Sequence, residues 1–220
     1  MSKNVYSLVL TDEIVSEIDR LAYKNGTNRS GMINRILAEY ISYTTPEMRI
    51  EKVFEHIGSL LGDTDNFKMA IPASDTLFSF NSSLIYKYHP SIRYSVELYR
   101  DEGNAIGEIR VSMRTQNETL ILAMIEFYRL WTKIEKNHIG DVIVRIDETG
   151  RYSRAIRPRI KEGAEKRLDT DTLGKMIAEY ISAFDRAMKC FFANINFPNK
   201  AIADIEEIYE DYYASSRQTI

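Results

Sequence analysis

Between Val5 and Ile41 the period of the apolar positions changes once. Val5-Tyr6-Ser7-Leu8-Val9-Leu10 alternates, which places Tyr6, Leu8 and Leu10 on one face of an extended strand and Val5, Ser7 and Val9 on the other. Both faces carry apolar side chains, so this strand needs cover on two sides. Thr11-Asp12-Glu13 then reads as a helix start: a hydroxyl to cap the first amides, followed by acids that the helix dipole favours. Ile14, Ile18, Leu21 and Ala22 share one helical face, and Asn25-Gly26 ends the helix. Asn28 caps a second helix, in which the pairs Met32/Ile33, Ile36/Leu37 and Tyr40/Ile41 recur every four residues. A segment of this size, residues 1 to 45, cannot bury enough surface to stand alone. It has to pack on a second copy or on the rest of the chain.

From Pro46 the helical period returns, with Ile50, Val53, Phe54, Ile57, Leu60 and Leu61 on one stripe as far as Gly62. Beyond a polar stretch the period becomes two. Leu77 to Tyr88 is a strand of irregular pattern, while Ile92, Tyr94, Val96 and Leu98 alternate with polar partners, as do Ile109, Val111 and Met113. Asp101-Glu102-Gly103-Asn104 supplies a hairpin turn between the last two. These segments predict a three-stranded antiparallel meander with one wet face. Asn117 caps a long helix through His138, apolar around much of its circumference and therefore deeply buried. A second hairpin spans 142–147 and 151–157, a helix runs from Thr170 or Thr172 to Asn196, and a last acidic helix follows Pro198 and ends near Tyr213. The fold class is α+β: a small module over residues 1–45 and a larger domain over 46–220, with an antiparallel sheet and long helices.

The chain has 220 residues, 44% hydrophobic and 28% charged, an ordinary globular composition. A net charge of −3 excludes a protein that coats nucleic acid through bulk charge and turns attention to local patches. One cysteine, Cys190, excludes an internal disulfide framework, and no apolar run reaches membrane-spanning or signal-peptide length. The expectation is a soluble cytoplasmic protein that requires no membrane.

The order strand, helix, turn, helix in NVYSLVL, TDEIVSEIDRLAYKNG, TNRS and GMINRILAEYI resembles the ribbon-helix-helix family of DNA-binding proteins, which includes the MetJ and Arc repressors. The resemblance covers about a fifth of the chain and rests on spacing, with no single diagnostic residue. It implies that two chains pair their strands into an antiparallel ribbon that enters the major groove, over a core of four helices. Tyr6, Leu8 and Leu10 would then face the helices, and Lys3, Val5, Ser7 and Val9 the bases. Phosphate would meet the start of the second helix at Asn28, Arg29 and Ser30. Val5 and Val9 depart from the polar readers usual in the family; they suit thymine methyl groups, and would lie opposite each other in a ribbon centred on Ser7. The competing reading has this strand join a sheet, buried on both faces and reading nothing.

A second charge asymmetry lies in RYSRAIRPRIKEG. Here Arg151, Arg154, Arg157, Arg159 and Lys161 stand against the single acid Glu162, either as a further phosphate-contacting arm or as a solvated hairpin edge. His56, His89 and His138 are scattered without metal-ligand spacing, and Asp63/Asp65 and Asp169/Asp171 lack the other ligands of a calcium loop. With no phosphate loop and no nucleophile motif, no metal, cofactor or catalysis is expected. The function expected is a homodimeric or higher-order regulator of transcription, acting as a repressor on double-stranded DNA, with a C-terminal part for assembly or effector binding. The alternatives are a mobile-element accessory or antitoxin-like protein whose C-terminal domain binds a protein partner, and an enzyme with the N-terminal segment as scaffold.

Overall fold

The computed structural model describes residues 4–64, 66–70, 74–86, 89–100, 103–160, 168–216 and 218–220. Lys3 of the expected ribbon, Asp65, Tyr88, Asp101 and Glu102 of the expected loops and strands, and Lys161 and Glu162 of the basic run lie outside the described residues. The chain divides into two compact units, Met1–Arg49 and Ile50–Ile220.

In the first unit, residues 4–11 form no strand, contrary to the alternation of the sequence. A strand exists only against a partner, and no described strand of this chain pairs with the segment. Helix α1 (Asp12–Lys24) follows, but the Thr11 side chain makes no capping hydrogen bond. Gly26, at φ +62°, ends α1 in the left-handed conformation that glycine adopts without strain, and the Thr27 amide returns to the Ala22 carbonyl at 2.9 Å. Helix α2 (Arg29–Tyr40) begins at Asn28, whose side chain accepts from the Gly31 amide at 2.9 Å. The two helices meet through Ile18, Ala22 and Met32, flanked by Leu21 and Ile33.

The second unit is α+β. Its strands are β1 (Phe67–Met69), β2 (Leu77–Ser83), β3 (Ser91–Leu98), β4 (Gly107–Met113), β5 (Val144–Ile146) and β6 (Tyr152–Ile156), and its helices are α3 (Pro46–Gly62), α4 (Glu118–Ile139), α5 (Thr170–Ala193) and α6 (Pro198–Ser215). The six strands form one antiparallel sheet in the order β1-β2-β3-β4-β6-β5. The expected meander and hairpin are thus one sheet, joined where Ile109 of β4 faces Arg154 of β6. Two short strands, β7 (Arg159–Ile160) and β8 (Gln218–Thr219), pair separately.

Register fixes two unlike faces. Phe78, Phe80, Tyr94, Val96, Ile109, Val111 and Tyr152 are buried on one. The helices cover that face: Phe54 of α3 stacks on Phe78 at 5.4 Å, Phe184 of α5 meets Tyr94 edge-on at 6.3 Å, and Tyr128 of α4 lies 5.0 Å from Tyr152. The other face carries Ser79, Asn81, Arg93, Ser95, Glu97, Glu108, Arg110, Ser112 and Ser153, the polar side that strict alternation requires, with Ser79 alone of these buried. Side-chain caps hold the long helices: Asn117 accepts from the Leu120 amide at 3.1 Å and Asp169 from the Thr172 amide at 2.6 Å. No helix among the described residues is long and apolar enough to cross a membrane.

Candidate nucleic-acid interface

The first unit carries the residues that the sequence singles out for DNA. Residues 4–10 lie outside any helix or strand and are exposed along their length, with Val5 99% and Val9 102% accessible and Tyr6 and Leu8 also open to solvent. No described strand pairs with this segment. Exposed apolar side chains continue into the helices at Ile14, Leu37, Tyr40 and Ile41. These positions are spaced for burial, yet only Met32 and Ala38 are buried in α2. Helical spacing thus places the apolar stripe correctly, but a pair of helices this short offers too little surface to cover it.

At the start of α2, Asn28, Arg29 and Ser30 are exposed. The Asn28 side chain satisfies the Gly31 amide, so the cap competes with a ligand for only part of the helix terminus. Arg29 is engaged: its Nε and Nη2 donate to both carboxylate oxygens of Asp19 at 2.7 and 2.6 Å, a bidentate clasp between α1 and α2. The guanidinium holds the Asp19 carboxyl below its usual range. Arg29 thus meets any anion with a carboxylate already on its other side.

The basic run beginning at Arg151 does not form one patch. Arg151 is exposed at the β5–β6 turn, where its amide donates to Asp147 Oδ1 at 3.0 Å. Arg154 is inside the protein, on the helix-covered face of β6, and binds Glu135 of α4 at 2.6 Å. Alternation is the reason: with Tyr152 and Ile156 facing the core, Arg154 must face it too. Arg157 donates to the Asn104 carbonyl at 3.1 Å, and Arg159 donates to the carbonyls of Ile139 and Asp141, tying β7 to the end of α4. A run that is dense in sequence is dispersed by the strand into solvent, core and backbone contacts.

Glu135 is the functional-looking carboxylate that the sequence analysis missed, hidden within a helix read only as apolar. Burial pushes its carboxyl above the usual range, against the pull of Arg154. It sits in a packed cluster with Tyr180, whose hydroxyl also accepts from Trp131 Nε1 at 2.9 Å, and not in an open pocket. A second buried carboxylate, Asp185, accepts from the Tyr94 hydroxyl at 2.9 Å and pairs with Lys189 at 2.7 Å. The Asp169/Asp171 pair is capping and surface chemistry: Asp169 caps α5, and Asp171 meets His56 at 2.7 Å. Among the described residues no three His, Cys, Asp or Glu side chains gather as metal ligands would. No known family, curated protein or solved structure matches the chain.

Proposed function

We propose that the chain is a dimeric, sequence-specific DNA-binding regulator of transcription, and that residues 1–45 form its ribbon-helix-helix module. The observation that carries this reading is the segment from Val5 to Leu10: it is patterned as a strand, apolar on both sides and covered on neither. A second copy supplies what is missing. Antiparallel pairing of two such segments gives each its ladder partner, and the side bearing Tyr6, Leu8 and Leu10 packs on the exposed stripe of the two helix pairs. The opposite side, with Val5, Ser7 and Val9, then enters the major groove, where valine contacts thymine methyl groups and Ser7 bonds to base edges. Asn28, Arg29 and Ser30 lie at a helix start suited to phosphate.

The test is selection of bound duplexes from a random DNA pool by the full chain at about physiological salt, where purely electrostatic binding is weak. The expected result is an enriched motif of two half-sites. A folded dimer that enriches nothing would make the ribbon a dimerisation element and remove DNA readout from it. Deleting residues 1–45 should lower the mass in solution by light scattering; an unchanged mass would overturn the dimer.

A further inference from the structure

We infer that the open face of the six-stranded sheet is a second DNA contact, one that grips the phosphate backbone of the duplex without reading sequence. Registered strands gather on this face Lys68, Arg93, Arg110 and Arg145, which lie far apart in sequence. Arg114 and Arg151, exposed one residue beyond β4 and β6, continue the same alternation. Among the described residues the acids of the face are Glu97, Glu108 and Asp147, and all three are occupied. Glu97 and Glu108 both bind Arg110. Asp147 accepts from the amides of Thr149 and Arg151 and from the Thr149 hydroxyl. Among the described residues none of Lys68, Arg93, Arg114 and Arg145 pairs with a carboxylate; Arg93 donates only to the Ser79 hydroxyl, at 3.4 Å. The face is therefore cationic in a chain whose net charge is −3.

Its chemistry selects the occupant. Asn81, Ser95, Ser112 and Ser153 lie between the cations and offer the neutral donors that phosphate oxygens accept from. Lys68 and Arg93 share a row, two strands apart, or about 9 to 10 Å. Among the described residues, the large side chains with apolar surface that the same alternation places on this face, such as Leu77, Ile85, Tyr99 and Ile143, sit at or just beyond strand ends. A protein interface would have an apolar centre, and a single-strand binder a row of aromatic platforms. A hydroxyl-lined cationic sheet without either fits the evenly charged backbone of a duplex.

The experiment measures binding of the full chain to a random-sequence duplex over a series of salt concentrations. Arg93→Glu with Arg145→Glu is compared with Lys175→Glu and Arg186→Glu on α5, an equal charge change at exposed positions away from the sheet. Loss of two phosphate contacts should flatten the slope of log affinity against log salt by about 1.8, with the α5 pair unchanged. Thermal melts must match the wild type, since all four residues are exposed. Equal slopes for the two double variants, or no slope change in either, overturn the inference, as does tighter binding to a single strand of the same length. The ribbon reading fails separately: motif enrichment lost with a sheet-dependent slope sinks the ribbon alone, and enrichment kept with an unaltered slope sinks the sheet contact alone.

Discussion

The guanidinium of Arg154 lies 2.6 Å from the Glu135 carboxylate, with 2% and 1% of the two side chains exposed. Arg154 also stands over the Tyr180 ring at 4.7 Å and donates to the Ile220 carbonyl, so one buried cation joins β6, α4, α5 and the segment after β8. Removing a single partner strands the other charge. Arg154→Met alone should cost about 3–5 kcal/mol in urea unfolding, while Arg154→Met with Glu135→Leu should regain most of that loss. A double variant no more stable than the worse single variant would show that the two charges are not coupled.

Helix α5 passes close to α3 at Gly174. A Cβ there would lie 2.7 Å from the His56 Cβ and 3.1 Å from the Val53 carbonyl oxygen. Gly174→Ala gains up to about 1 kcal/mol of helix propensity but forces the two helices apart, which typically costs about 1–3 kcal/mol. The expected net effect is a destabilisation on the order of 1 kcal/mol, read as a lower melting temperature. A temperature at or above that of the wild type would mean that the helices have room to part.

Long-period patterns were legible in the sequence. Asn117 and the apolar girth of α4 gave that helix its start and its depth, and the alternation around Tyr94 and Val111 gave two central strands and their wet face. What escaped was whatever a partner decides. β1 is three residues long and exists because Lys68 and Met69 lie against β2; β7 and β8 are two residues each. The N-terminal alternation reads as a strand, but pairing is a property of two segments, and among the described residues no strand pairs with it. The basic run from Arg151 failed for a related reason. Charge density along the sequence says nothing about which side of a strand each residue takes, whereas Arg93, Arg110 and Arg145 reach one face only through the register of the sheet.

Asp169 caps α5, and its carboxyl is held below the usual range chiefly by the Thr172 amide. A carboxylate with a depressed folded-state pKa stabilises above the unfolded value, about 3.9, and loses that contribution as pH falls through its folded value. Asp19 and Asp147 shift in the same sense, and Glu135 in the opposite one. Asp169→Asn keeps a side-chain acceptor for the cap but removes the titration. The drop in melting temperature between pH 7 and pH 3 should therefore be smaller in the variant than in the wild type. Identical drops would show that the charge on the cap contributes nothing to α5.

If residues 1–45 bind DNA as proposed, the clasp of Asp19 on Arg29 bears on how α2 would meet it. A phosphate at the start of α2 would share Arg29 with a carboxylate that already takes its Nε and one Nη2 donor, so part of the attraction is spent within the protein. Asp19→Asn relieves this. Affinity for every duplex sequence should rise and the salt slope should steepen by up to about 0.9, one further phosphate contact, with the selected motif unchanged. Arg29→Ala should act in the opposite direction on the same two quantities, whereas Ser7→Ala should alter which bases are enriched and leave the slope alone. Binding titrations on specific and random duplexes separate the three variants. If Asp19→Asn and Arg29→Ala leave both affinity and slope where they were, the start of α2 does not touch phosphate, and the clasp serves only to hold α1 against α2.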